Sequence, residues 1–532
     1  IVRGVSKVFP LFFFAVAALV CITTMTRMVD EQRTQAGVLK ALGYSNSAIL
    51  SQYFLYAGTA SLLGCVLGIA AGSYFLPKMI WHAYNIMYGF TGILYAFDWP
   101  LALVSSGAYL LCALGTTWYV VHAELQKPAA ELIRPKAPKA GKRILLERLP
   151  LIWDRLPFLH KVSIRNILRF KKRMVMMMIG IGGCTALLIT GFGIQDSISS
   201  VVDYQYDEIT RYDAAVTFQH ALSGSEREDF LAVCEESSAG GCLFVAEKSL
   251  DASKGSTVKT TNVVCPESGS VDGFIDLHTQ EKTPIPYPQD GGCIISRGLA
   301  QALRLSAGDT ITLQTGDMRR TELTVEAVFE NYVYNYVYLT QTTWQDVFGE
   351  APGYEAAWVN YQTDEDAQAA SAALAGAKNA AAVTLSRDFR SRVATMMQSL
   401  RYIVLVVVLG AAALAFIVLY NLTNINITER EREIATIKVL GFYDGETNRY
   451  VFRENIILTV LGALLGLPMG TLLHAYVMGQ IKIDLMCFDV RVAPLSYLIS
   501  AALTLVFGLL VNLALRRKIR AIDMSQALKS IE

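Results

Sequence analysis

Charge is scarce in this chain. Only 17% of its 532 residues are Asp, Glu, Lys or Arg, against roughly 25% in soluble proteins. With 53% of residues hydrophobic, that excludes a wholly soluble globular protein and leaves a membrane protein with a sizeable soluble part. Catalytic signatures are missing too. The nine cysteines form no CxxC pair, so a metal site is not expected. A phosphate-binding loop is absent, because Gly141-Lys142 lacks both the upstream Gly and the following Ser or Thr. None of the six His is followed by Glu, and no GxSxG elbow occurs. An enzyme reading has nothing to rest on.

What the chain has is long apolar runs. Seven of them reach the length of about 20 residues that a helix needs to cross a bilayer: 8–28, 48–76, 101–122, 174–195, 402–422, 451–478 and 494–515. Lys and Arg in the connections orient them. Residues 123–173 carry 14 Lys and Arg against 4 Asp and Glu, which makes this linker cytoplasmic. The basic tail Arg516, Arg517, Lys518 and Arg520 is cytoplasmic as well. Alternation then places 197–400 outside. That segment carries 28 Asp and Glu against 14 Lys and Arg, a net of −14.

The linker has two parts. Lys136 to Lys142 is rich in Pro, Gly and Lys and reads as extended. From Phe158 to Lys172, with Lys161, Arg165 and Arg169 on one stripe, the pattern is an amphipathic helix on the inner leaflet. The outside segment is mixed α/β. Strands are expected at 213–218, 293–295, 310–314 and 322–329, and helices at 297–303 and 367–382. The tyrosines of 332–338 suit one face of a strand or an aromatic ligand surface. A disulfide Cys234–Cys242 or Cys265–Cys293 fits the spacing, which does not decide the pairing.

The sharpest signal is internal repetition. At a constant offset of 398, Glu31, Lys40, Leu42 and Gly43 match Glu429, Lys438, Leu440 and Gly441. The same offset carries Gly64, Gly68 and Gly72 onto Gly462, Gly466 and Gly470. The glycines are small-xxx-small patterns that let helix backbones approach closely in lipid. Each set follows a short charged amphipathic stretch closed by a capping Gly. In the second copy, Ile434, Ile437 and Leu440 are expected to share its apolar face. Intramembrane ionisable residues are few; His474 and Glu454 are both placed near helix ends and given little functional weight.

At these residues the chain resembles the FtsX-like permease family, the membrane subunits of type VII ABC systems such as MacB, LolC/LolE and the bacitracin-resistance permeases. The stretch Glu429 to Gly441, with Glu433, Ile434 and Lys438, matches the family motif. In the first copy Gln35 and Ala36 depart from it. Ala130-Glu131-Leu132 and Ser525-Gln526-Ala527-Leu528 look like membrane-exit signatures, and Cys293 to Thr312 is similar to the MacB-type extracytoplasmic core. Ile1 in place of Met, and a repeat that begins part-way through its first copy, suggest the C-terminal portion of a two-repeat permease.

The resemblance implies an α-helical bundle of about seven transmembrane helices plus a mixed α/β extracytoplasmic domain. Residues 1–122 would hold three helices of the first repeat with a coupling helix at 29–43, and 123–173 the cytoplasmic linker. A transmembrane helix would follow at 174–196, then the extracytoplasmic domain at 197–400. The second transmembrane domain would be 401–532, with a coupling helix at 427–441. The implied function is that of an ABC permease subunit in the bacterial plasma membrane. It would couple ATP hydrolysis on a separate ATPase subunit, in two copies, to movement of the outside domain. Glu31, Lys40, Leu42, Gly43, Glu429, Glu433, Ile434, Lys438, Leu440 and Gly441 would dock the ATPase. ATP-Mg would sit on that partner, with no cofactor in this chain. Further contacts would be the bilayer and an extracytoplasmic protein, lipid or peptide, but no nucleic acid. A regulator of a cell-wall hydrolase and an antimicrobial-peptide sensor are the alternatives.

Overall fold

A computed structural model describes residues 2–88, 92–133, 161, 164–165, 167–168, 171–237, 239–361, 367–481 and 486–522. The chain falls into two compact units: Ile1–Asp196, Arg401–Ile481 and Val490–Glu532 form the first, Ser197–Leu400 and Lys482–Asp489 the second. Among the described residues seven helices are long and apolar enough to cross a membrane. The linker stretch 136–142 and the sequence Ser525 to Leu528 lie outside the described residues. So does much of 158–172, of which residues 161, 164–165 and 167–168 are helical.

In chain order the helices begin with α1 (Val2–Glu31), α2 (Arg33–Ala41), α3 (Asn46–Tyr88), α4 (Trp99–Leu125), α5 (Ala129–Ile133) and α6 (Lys171–Asp203). The strands and helices of the second unit follow. They are β1 (Ala214–Phe218), α7 (Gly224–Glu236), β2 (Ala239–Lys254), β3 (Thr257–Pro266), β4 (Gly292–Ser296) and α8 (Arg297–Leu303). Next come β5 (Thr310–Gln314), β6 (Arg320–Phe329), β7 (Tyr336–Tyr338) and α9 (Gln341–Phe348). After them lie β8 (Ala356–Tyr361), α10 (Ala367–Ala375) and β9 (Ala380–Leu385). The chain then returns through α11 (Ser386–Glu429), α12 (Glu431–Val439), α13 (Asp444–Gln480) and α14 (Pro494–Arg520).

In the helical unit α6 is the central element. Of its most apolar stretch 67% is buried, against 11% for α3 and for α4. Glycine makes the close approach to α6 possible. A Cβ on Gly462, Gly466 or Gly470 would lie 2.6–2.7 Å from the Cβ of Ile181, Thr185 or Ile189. Only hydrogen fits there, so α13 and α6 meet almost backbone to backbone. Polar side chains tie α14 to both helices: Thr185 of α6 and Thr504 of α14 are 3.1 Å apart, and Asn455 Nδ2 of α13 donates to Asn512 Oδ1 of α14 at 3.2 Å. The ring of His474 packs against Gly193 in the same bundle.

The second unit is one sheet in the order β3-β7-β4-β6-β5-β2-β8-β1-β9, with β3 also pairing β2. The extra pairing closes β2, β3, β7, β4, β6 and β5 into a circuit. Its interior holds Ile295, Leu299, Leu303, Ile311, Leu313, Val325, Trp344 and Val347, so α8 and α9 cover it. Strands β8, β1 and β9 extend from the other end of the 16-residue β2. There Val216, Phe230, Phe244, Val359 and Leu374 make a second core under α7 and α10.

Two expectations need correcting here. The Ala-rich stretch 367–382 is not one helix: α10 stops at Ala375, Asn379 turns with φ 73°, and Ala380 starts β9 against β1. Ala suits either state, and sheet pairing overrides its helical preference. The tyrosine run is not one strand face either: Tyr334 has φ 61°, Val333 makes an isolated bridge to Met486, and the strand itself is Tyr336–Tyr338.

Candidate functional site

The repeated motif forms two short helices that mirror one another. A single residue, Gln32 or Arg430, separates each from the long helix before it. Each ends the same way. Gly43 has φ +90° and Gly441 φ +92°, a backbone region open to glycine and strained for other residues. Gly43 N–H donates to Lys40 O at 3.2 Å and Tyr44 N–H to Leu39 O at 3.1 Å; Gly441 N–H donates to Lys438 O at 3.0 Å and Phe442 N–H to Ile437 O at 3.4 Å. This is the paired bond pattern of a Schellman cap, which satisfies carbonyls the helix leaves open.

The cap turns apolar side chains outward at matching places. Leu42 is 70% exposed and Leu440 71%, while their neighbours across the glycine, Tyr44 and Phe442, are 57% and 50% exposed. Tyr443 is also exposed. The expectation that Leu440 shares a face with Ile434 is therefore wrong. Six residues at about 100° each leave the two side chains about 120° apart around the helix axis. Ile434 and Ala435 are fully buried and face the bundle core.

The inward faces are held differently in the two copies. In the second, Arg430 is buried and bonds Glu433 Oε2 through Nε at 2.8 Å, Tyr450 Oη at 3.0 Å, and Glu454. Burial alone lowers the pKa of Arg430, but the Glu433 hydrogen bond and the Glu454 charge outweigh it, and the net shift is upward. In the first copy Arg33 does the holding, with Nε 3.0 Å from Glu124 Oε1 and Nη2 donating to the Glu131 carbonyl at 3.0 Å. Gly37 seats α2 on α5: a Cβ there would lie 2.9 Å from Leu132 Cβ and from Ile133 Cγ1.

The remaining sequence candidates fall as follows. Glu31 is exposed and pairs with Arg27 at 3.6 Å; Glu429 is exposed. Lys40 and Lys438 turn back into their own fold. Among the described residues, none stands within 4 Å of a Cβ at Gly64 or Gly68, and Gly72 meets only Leu76 of its own helix at 4.0 Å. Tyr44 and Phe442 were not singled out from the sequence, although the offset of 398 pairs them. Arg430 has Gln32 as its equivalent, so repetition gave no signal for it.

Two domain families match along the chain. The FtsX-like permease C-terminal family matches residues 7–124 and 405–524, one stretch around each short helix. The MacB-like periplasmic core domain matches residues 174–377, most of the second unit. Together the two family matches cover most of the chain and support an FtsX/MacB-type permease. Two solved structures are similar over the second unit. The extracellular domain of the noncanonic ABC-type transporter YknZ from Gram-positive bacteria is 17% identical, with a TM-score of 0.24, over 32% of this chain and 98% of that one. The periplasmic region of MacB from Actinobacillus actinomycetemcomitans is 11% identical, with a TM-score of 0.24, over 34% of this chain and 92% of that one. No curated protein matches. As an FtsX-like permease the chain is a multi-pass cell-membrane protein, with helical spans and a mixed α/β extracytoplasmic domain. Such permeases belong to ABC transporters that use a separate ATPase partner.

Proposed function

We propose that this permease couples ATP hydrolysis by a separate ATPase subunit to movement of its extracytoplasmic domain. The two short helices are the coupling helices, each taking one ATPase protomer. The observation that carries this reading is the duplicated apolar corner, Leu42 with Tyr44 and Leu440 with Phe442, each set around a left-handed glycine. Exposed apolar groups on the water side of a membrane domain, in a rigid and repeated geometry, fit a protein partner of twofold character. A few well-packed side chains at the centre of such a contact, aromatic ones foremost, carry most of its binding energy.

Isolation from membranes in a mild detergent, with ATPase activity assayed on the eluate, tests the proposal. A stoichiometric ATP-binding subunit is expected with the wild type and is expected to be lost from Leu42→Asp/Leu440→Asp. An eluate without ATPase in several detergents, or full retention by the double variant, would overturn it.

A further inference from the structure

The lysine of each short helix points inward, and both copies use it in the same way. Lys40 Nζ donates to the carbonyl of Leu125 at 2.6 Å and to that of Lys127 at 2.8 Å. Lys438 Nζ donates to the carbonyl of Arg520 at 3.0 Å and lies 3.6 Å from Asp444 Oδ1. Leu125 is the last residue of α4, and Arg520 is the last residue of α14. These are the closing spans of the two halves. Helix ends leave carbonyls without partners and carry partial negative charge there. An ammonium supplied by a second helix meets both needs. The Lys438 side chain is only 7% exposed, which leaves it little surface for a protein partner.

We propose that Lys40 and Lys438 are positioning residues that lash each coupling helix to the end of the last span of its own half. Each coupling helix is already continuous with the span before it, except for one residue. The lysine adds the third span of that half, so a push on the helix moves the last span with it. This deepens the proposed coupling role: it removes two lysines from the docking surface and makes them the link behind it. Two copies at one sequence offset, with acceptors at the same place on two different helices, are independent observations of one device.

Backbone amide exchange on the full chain in lipid nanodiscs, with no nucleotide and no partner, tests it. In Lys438→Met the amides of α12 are expected to exchange about 5- to 30-fold faster, the range set by losing one or two kcal/mol of local stability. The α2 amides should stay unchanged, and Lys40→Met should give the converse. The arginine variants at the same positions are expected to restore protection, because a guanidinium reaches the same carbonyls. Amides of the sheet domain serve as the folding control. Wild-type exchange in both methionine variants would overturn the latch. So would arginine variants as fast as the methionine ones, since a cationic donor at this place would then not be what protects the helix. The measurement needs no ATPase, so it decides the latch even if no ATP-binding subunit copurifies.

Discussion

Arg430 and Glu454 form an ion pair almost sealed from water, with side chains 3% and 1% exposed. They are 24 residues apart and join the junction before α12 to the first turns of α13. Desolvating two charges offsets much of their attraction, so such a pair adds little net stability. Removing one partner is another matter, because a lone buried charge remains. Arg430→Met is expected to lower unfolding stability by about 3–5 kcal/mol. The double variant Arg430→Met/Glu454→Leu should recover most of that loss. Denaturation of the purified protein in bicelles checks both. A double variant no better than the single one would show that the charges do more than balance each other.

The two glycine triplets should respond in opposite ways. A Cβ at Gly466 would meet Thr185 Cβ at 2.6 Å and the carbonyl of Gly182 at 2.8 Å. Backbone cannot step aside as a side-chain end can, so Gly466→Ala should cost about 1–3 kcal/mol. A Cβ at Gly68 would meet no described residue within 4 Å. There Gly68→Ala should be neutral or stabilising by up to about 1 kcal/mol, the helix preference of Ala over Gly. Thermal unfolding in detergent compares them. Equal effects at the two equivalent positions would refute the packing difference.

Much of this was legible in the sequence, and the limits have physical causes. Hydropathy marks spans because lipid demands continuous apolar surface. Accordingly all seven runs lie within the seven long helices, though α3 and α13 extend well past their apolar cores. The 398 offset marked Gly43 and Gly441, whose backbone angles agree within two degrees. Side-chain direction was less legible. Spacing groups Leu440 with Ile434, yet Ile434 is buried and Leu440, at the cap, is exposed. The charged run 429–433 read as a docking surface, but Arg430 turns inward to Glu454, a residue given little weight for lying near a helix end. Spacing along one helix does not reveal a partner on another. The hairpin of β2 and β3 is hard to read because the apolar run 243–246 and the polar run Glu247-Lys248-Ser249 interrupt the alternation of β2.

Cys234 on α7 and Cys242 on β2 are free thiols in one apolar cluster, and they hydrogen-bond to each other. That bond holds the Cys234 thiol below its usual range, while burial pushes Cys265 and Cys293 up to about 12. The thiolate is the attacking species. Limited treatment with diamide, which accepts the two electrons and two protons, should therefore join Cys234 to Cys242 first. Peptide mapping under non-reducing conditions checks this. A Cys265–Cys293 bridge forming first would contradict it.

Glu226 closes the start of α7. Its carboxylate accepts the backbone N–H of Ser223 at 2.9 Å and the Ser223 hydroxyl at 2.8 Å, with Asn379 Nδ2 at 2.9 Å. The two Ser223 bonds, the backbone one first, with a smaller contribution from His220, hold its pKa down to about 2 from an ordinary 4.5. A depressed carboxylate pKa adds stability that is full above the ordinary value and is lost as the pH falls through the depressed one. Glu226→Gln keeps the shape and removes the charge. The amides of α7 should therefore exchange faster in the variant than in the wild type at pH 6, after correction for intrinsic rates. The difference should shrink below pH 4.5 and vanish near pH 2. No difference at pH 6 would mean that Glu226 caps α7 by shape alone, and a difference that stays constant from pH 6 to pH 2 would mean that its charge plays no part.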